Sequence, residues 1–229
     1  ISLGLVGSEM CIRDSLDALR TVKRGDGPFE RVVKVDTMTP KAMAMAGFIG
    51  CQAKDLHDAR ALELASNILS SRLIETIREK MSLVYSLRAG NMPGEAYEDS
   101  GLFGTWAPCD PAKAQQVVDE VHKIYGAFAK DGPTEEELAN AKLQVTNNLD
   151  EEMREPSYWL SVLRDLDYRG RSLEDEKAEA KAYEPYTVAQ ITEVFRKYYT
   201  PQRKFQVTAL PAQNPQAESA KAKADEESS

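Results

Sequence analysis

Arg78 and Tyr85 are the residues whose types and spacing most suggest chemistry in this chain of 229 residues. They stand seven positions apart in LSSRLIETIREKMSLVYS, residues 69–86, where a helical pattern passes into a strand-like one. A guanidinium and a phenol together can bind peptide carbonyl oxygens without reading side chains. Such donors can also stabilise a developing oxyanion, usually by a few kcal/mol per donor. Because Arg78 is predicted to end the helix and Tyr85 to lie early in the next strand, the two side chains can converge.

Each residue also has a purely structural interpretation. Arg78 in the charged run RLIETIREK can be a solvated residue of a helix surface, and Tyr85 can be a half-buried aromatic of a strand. Glu75 and Glu79 flank Arg78 and can orient it through a charge-assisted hydrogen bond. Exposed pairs of this kind within one helix are weak, typically under about 1 kcal/mol.

The sequence offers little to bind a metal. Its two histidines, His57 and His122, belong to no His-x-x-Glu-His run, and both are predicted to be surface residues rather than ligands. Cys51 and Cys109 form no Cys-x-x-Cys pair, and their apolar surroundings predict small buried thiols. We therefore expect no metal or other cofactor in this chain.

Composition limits the classes of function. A formal charge of −8 argues against a nucleic-acid partner, which requires a basic surface. No apolar run reaches the roughly 20 residues that span a bilayer. With 42% hydrophobic residues, the chain can bury a sizeable core.

The two ends of the chain differ from its middle. Residues 4–15, GLVGSEMCIRDS, resemble the translation of a sequencing adapter, so we interpret residues 1–15, with Cys11, as an artefact and the rest as a fragment. Residues 16–28 are interpreted as a partial linker or preceding segment, and residues 29–211 as one domain. Residues 212–229 lack large apolar side chains and are predicted to be a disordered tail.

The order of predicted elements defines a fold class. Strands are predicted at 29–36, 42–51, 83–89, 100–107 and 204–210, and helices at 56–69, 72–80, from 110, at 134–153, 158–166 and 188–199. Strands and helices that come in groups favour an α+β domain, here with helices packed on one face of a mostly antiparallel sheet.

Four segments together carry a family resemblance: ALELASNILSSRLIETIREKMSLVYS, GLFGTWAPCDPAKAQQVVDEV, GPTEEELANAKLQV and EPSYWLSVLRDL. They resemble the C-terminal domain of the insulinase/pitrilysin family of zinc peptidases, in its bacterial long-chain branch. The resemblance implies two halves around a chamber, the N-terminal half binding zinc through His-x-x-Glu-His. It also implies that an arginine and a tyrosine of the C-terminal half, here Arg78 and Tyr85, hold the substrate backbone.

The function expected from this resemblance is that of a non-catalytic domain. It would close the chamber and position a peptide for hydrolysis by a zinc-bearing half, either in the same chain or in a separate subunit, in a bacterial periplasm or cell envelope. One alternative is a catalytically inactive structural subunit resembling the processing-peptidase core proteins. Another is the second domain of a zinc-bearing half, which the disordered tail disfavours.

Overall fold

The computed structural model describes residues 27–212, apart from Met38, Ala96, Glu98 and Asp99 and the side chains of Asp165, Asp167 and Tyr168. The adapter-like residues 1–15, most of the segment 16–28 and residues 213–229 of the predicted tail lie outside the described residues.

Five strands and six α-helices make up the described part of the chain. The strands are β1 (Phe29–Val35), β2 (Ala42–Ile49), β3 (Arg88–Met92), β4 (Leu102–Cys109) and β5 (Lys204–Pro211). The helices are α1 (Leu56–Leu73), α2 (Ala114–Asp131), α3 (Glu135–Glu152), α4 (Pro156–Arg169), α5 (Leu173–Lys177) and α6 (Val188–Tyr198). A π-helix, Ile74–Lys80, continues α1, and short 3-10 turns lie at Pro111–Lys113, Glu179–Tyr183 and Pro201–Arg203.

The strands form one sheet in the order β1-β5-β2-β4-β3. The pairs β2–β4, β2–β5 and β3–β4 are antiparallel, and β1–β5 is parallel. Helix α1 packs on β3, α2 packs on β2, and α6 packs on both helices. The predicted α+β class with a mostly antiparallel sheet is therefore confirmed.

The core lies between the sheet and the helices. In β2, Ala42, Ala44, Ala46 and Phe48 are buried at every second position, as expected where one strand face meets helices. Phe48 packs against Phe103 of β4 with ring centroids 4.8 Å apart and meets Phe195 of α6 edge to face at 5.1 Å. This aromatic cluster joins the sheet to α6.

The other face of the sheet is only partly covered. Met43 and Met45 alternate with the buried residues of β2, and neither is fully buried. Every residue of the edge strand β1 is exposed, Val32 among them. The described residues thus leave an apolar sheet face open beside β1.

The prediction that helix α1 breaks at Ser70 and Ser71 is wrong. The helix runs unbroken to Leu73 because both hydroxyls find partners without leaving it. Ser70 Oγ accepts from the Ala89 amide at 3.0 Å and donates to the Ala89 carbonyl at 3.2 Å. Ser71 Oγ donates to the Asn67 carbonyl within the helix at 3.4 Å. A contact with β3 has replaced the expected break.

The sequence Thr134-Glu135-Glu136-Glu137 is typical of a capping box, and the structure confirms one at the start of α3. Thr134 Oγ1 accepts from the Glu137 amide at 3.1 Å, and Glu137 Oε2 accepts from the Thr134 amide at 2.7 Å. The Glu137 carboxylate also accepts two hydrogen bonds from Arg72 of α1, at 2.6 and 2.7 Å. The cap therefore connects α3 to α1.

Glu137→Gln is expected to remove a pH-dependent part of the stability. The Arg72 guanidinium lowers the pKa of Glu137 from 4.5 to about 2. Because the folded-state pKa lies below the unfolded one, the contribution is complete above the unfolded pKa and lost as the pH falls towards about 2. The difference in free energy of unfolding between the unmodified chain and Glu137→Gln, measured in urea, should shrink between about pH 5 and pH 2.

The control for this experiment lies in the same helical turn. Glu135 forms no hydrogen bond to another side chain in the described part of the protein. Glu135→Gln should not reproduce the pH-dependent difference. An equal loss in both variants would mean that the contact with Arg72 adds nothing.

Both predicted buried thiols are confirmed. Cys51 and Cys109 are buried and unpaired, and burial raises the pKa of Cys51 to about 12. Burial also raises the pKa of Cys109. Neither thiol is therefore suited to act as a nucleophile near neutral pH.

None of the described helices is long and apolar enough to cross a membrane.

Candidate functional site

Arg78 lies in the π-helix that continues α1. Ile77 of this π-helix is fully buried and anchors it, whereas the next three residues, Arg78, Glu79 and Lys80, are exposed. The Met81 amide donates to the Thr76 carbonyl at 3.1 Å, five residues back, as the wider π-helix requires. Such segments are uncommon and often occur at functional sites. The sequence pattern predicted only an ordinary short helix here.

The turn that follows the π-helix is strained and held in place. Ser82 has a φ of +51°, a conformation that non-glycine residues rarely adopt. The Leu83 amide donates to the Ile77 carbonyl at 3.0 Å, and Lys113 Nζ donates to the Ser82 carbonyl at 3.3 Å. These bonds fix the backbone between Arg78 and Tyr85.

Tyr85 lies outside the strands, which corrects its predicted place early in a strand. Only Val84 pairs there, through an isolated bridge to Cys109, and β3 begins at Arg88 opposite Trp106. The Tyr85 side chain is 88% exposed. It is therefore not the half-buried strand aromatic of the structural interpretation.

Within the described residues, neither Arg78 nor Tyr85 forms a hydrogen bond or ion pair through its side chain. Glu75, one of the two carboxylates expected to orient Arg78, accepts instead from Lys80 Nζ at 2.8 Å. The exposure of Arg78 is also consistent with its structural interpretation as a solvated residue of a helix surface. The junction thus presents a guanidinium and a phenol to solvent on a well-anchored backbone.

The two histidines lie in unrelated surroundings. His57 is exposed, and its Nδ1 donates to the carboxylate of its neighbour Asp58 at 3.1 Å. His122 is not the surface residue predicted, because its ring lies beside Tyr199 and is partly buried, and burial lowers its pKa. Among the described residues, no group of three or more His, Cys, Asp or Glu side chains is placed to hold a metal ion. These residues do not fit a catalytic zinc ion.

Sequence reasoning missed Lys113, which donates to the Ser82 carbonyl within the junction. Its position just after Asp110 and Pro111 gave it the appearance of an ordinary helix-start residue. Nothing in local spacing points to residue 82, which lies 31 positions away.

Fold and junction define a class of protein. The described part of the chain is an α+β domain that exposes an arginine and a tyrosine side chain at one junction, and none of its described residue clusters is placed to hold a metal ion. Residues 18–145, more than half of the chain, match the peptidase M16 inactive domain, and the chain belongs to this family. The resemblance to the C-terminal domain of insulinase/pitrilysin-type peptidases is thereby confirmed.

Curated relatives come from bacteria. The uncharacterized zinc protease YmxG of Bacillus subtilis is 28% identical over 114 residues, which are 48% of this chain and 27% of that protein. The uncharacterized zinc protease ML0855 of Mycobacterium leprae is 31% identical over 95 residues, 42% of this chain and 21% of that protein. The matches thus span about a quarter of the length of these relatives.

Solved structures share the fold at low identity. The peptidase M16 inactive domain from Pseudomonas fluorescens has a TM-score of 0.68 at 19% identity and covers 83% of this chain and 46% of its own. The periplasmic protease PqqL from Escherichia coli has a TM-score of 0.64 at 18% identity, and the match covers 83% of this chain and 21% of PqqL. A chain of Complex III2 from Candida albicans has a TM-score of 0.66 at 16% identity, and the match covers 79% of this chain and 45% of the other.

Proposed function

We propose that this chain is the non-catalytic C-terminal domain of a zinc metallopeptidase, and that it closes the substrate chamber and positions a peptide for hydrolysis. The observation that carries the proposal is the Arg78–Tyr85 junction. Its two donor side chains are exposed and unpaired within the described residues, and its backbone is anchored. Family membership and the names of the bacterial relatives support the peptidase assignment.

The roles of the two side chains follow from their chemistry. The Arg78 guanidinium can donate hydrogen bonds to a peptide carbonyl oxygen or to charge that develops on it. The Tyr85 hydroxyl can donate a further bond to the same strand of substrate. Zinc would supply the hydrolytic chemistry from a half that carries His-x-x-Glu-His, in the same chain or in a separate active subunit.

The periplasm or cell envelope is the proposed location. Support comes from the shared fold with PqqL, which is a periplasmic protease.

The isolated chain is expected to cleave no peptide, whereas the complete protein should cleave one. We expect this division of labour because no group of three or more His, Cys, Asp or Glu side chains among the described residues is placed to hold zinc. A quenched fluorescent peptide measures cleavage, and metal analysis of the purified chain measures zinc. Stoichiometric zinc together with cleavage that a chelator abolishes, in the isolated chain, would overturn the proposal.

A second candidate is a catalytically inactive structural subunit. The fold shared with a chain of Complex III2 from Candida albicans supports this second candidate. The upstream part of the same gene, or the gene of a partner subunit, decides between the two. An intact His-x-x-Glu-His there favours the peptidase, and its absence from both favours the structural subunit.

A further inference from the structure

A cavity of about 410 Å³ lies between the first half of α1, helix α3 and the segment from Arg169 to Tyr183. Glu63 lines it from α1, roughly 20 Å along the helix axis from Arg78 at about 1.5 Å per residue. Part of its wall is apolar, formed by Leu56, Ala59, Val145 and Leu149. Its volume is that of a small-molecule site.

The arginines that line this cavity already have carboxylate partners. Arg60 donates two hydrogen bonds to Glu179, at 2.8 and 2.7 Å. Arg171 pairs with Glu176 and Glu179, and Arg169 pairs with Glu95 at 2.8 Å. The positive charge of the wall is therefore neutralised by the protein itself.

Two carboxylates of the wall lack such a partner. Within the described residues, neither Glu63 nor Glu152 forms an ion pair, and Glu63 accepts only from Asn67 Nδ2, at 3.2 Å. Arg88 acts on Glu63 electrostatically but forms no hydrogen bond with it. Burial raises the pKa of Glu63, and the negative charge of Glu152 raises it further. A cation beside Glu63 would relieve both effects.

A tyrosine without a side-chain hydrogen bond also lines the cavity. Tyr183 lines the cavity and is only 7% exposed, yet its hydroxyl bonds to none of the described residues. Glu63 lies near enough to act on it electrostatically. Because this hydroxyl lines the cavity and bonds to none of the described residues, it is available to a ligand there.

We propose that this cavity binds a primary alkylammonium group, which donates to the Glu63 carboxylate and the Tyr183 hydroxyl. The negative charge of Glu152 strengthens the attraction, and the alkyl chain lies on the apolar wall. An organic cation fits better than a metal ion, because no described cluster of three or more ligating side chains is placed to hold a metal. The site does not depend on the proposed peptidase function.

The test is a calorimetric titration of the 229-residue chain with butylammonium, with butyrate and calcium titrated in parallel. Saturable binding of butylammonium alone is expected. Glu63→Gln should weaken it about tenfold or more, since a hydrogen bond to a charged group is worth about 1.5–3 kcal/mol. Glu152→Gln and Tyr183→Phe should each weaken it several-fold.

The matched control is Glu151→Gln. Glu151 neighbours Glu152 on α3 but does not line the cavity, so this variant should bind normally. A capped tripeptide with a central lysine distinguishes the source of the ammonium. Binding as tight as that of butylammonium indicates a protein side chain, and weaker binding indicates a free amine.

Three results would overturn the proposal: no saturable binding of butylammonium, equal binding of butyrate, or calcium binding that Glu63→Gln abolishes. If Glu63→Gln does not fold, Glu152→Gln and Tyr183→Phe decide. Unchanged affinity in both would likewise overturn it.

Discussion

Arg78→Ala in the complete protein is expected to lower kcat/KM for peptide hydrolysis about a hundredfold or more. Removing one donor from a site of developing negative charge typically costs about 10²–10³ in kcat. Tyr85→Phe removes a single hydroxyl donor and should cost less. The measurement is steady-state cleavage of a fluorescent peptide, with zinc content determined on the same samples.

The division between kcat and KM identifies when the contact forms. If Arg78 holds the ground state and the transition state equally, KM rises and kcat is unchanged. If it binds only the developing oxyanion, kcat falls and KM stays constant. Because both residues would hold one substrate strand, the double variant should lose less than the product of the two single losses.

Two controls match the residue types. Arg154→Ala removes an exposed arginine just after α3, and Tyr97→Phe alters an exposed tyrosine. Both should keep full activity. Normal turnover in Arg78→Ala and in the double variant, with zinc content unchanged, would remove the site assignment. Loss of zinc would instead indicate a structural effect.

Elements specified by neighbouring residues could be predicted from the sequence. The capping box of Thr134 needs only Glu137, three residues later, so its pattern is complete in the sequence. The alternation of Met43 and Met45 with small residues likewise predicted the strand β2.

Predictions failed where a distant contact decides the structure. Ser70 and Ser71 favour a break locally, but the contact of Ser70 with Ala89 keeps the helix intact. Tyr85 looked like a strand residue from its type alone. The ladder opposite β4 begins only at Arg88, which leaves Tyr85 in an exposed bend.

The candidate site also has a part that the sequence could predict and a part that it could not. The family resemblance supplied Arg78 and Tyr85, while the π-helix, the positive φ of Ser82 and Lys113 carry no local signal in the sequence. The cavity beside Glu63 was invisible for a simpler reason. Its tyrosine, Tyr183, follows 120 residues later in the chain, and only folding brings the two side chains to one wall.

Phe195→Ala is expected to cost about 3–5 kcal/mol in the free energy of unfolding. Phe195 is fully buried, with ring centroids 4.8 Å from Phe128 and 5.1 Å from Phe48. It also meets Phe103 and Tyr125, so its removal leaves a cavity bordered by both the sheet and α2. The neighbouring rings belong to different strands and helices, so they cannot fill that space unless a strand or a helix also moves. Urea unfolding followed by circular dichroism measures the loss.

Phe29→Ala is the matched control, because Phe29 on the edge strand is 46% exposed and should cost far less. Phe195→Leu keeps most of the volume and gives a smaller loss if the alanine variant does not fold. A loss below about 1.5 kcal/mol for Phe195→Ala would mean that the aromatic cluster does not hold the sheet to the helices. In the complete protein, a folded Phe195→Leu should keep its kcat, since we expect the cluster to contribute stability and Arg78 to contribute substrate binding. A drop in kcat without unfolding would instead show that the core sets the geometry of the junction.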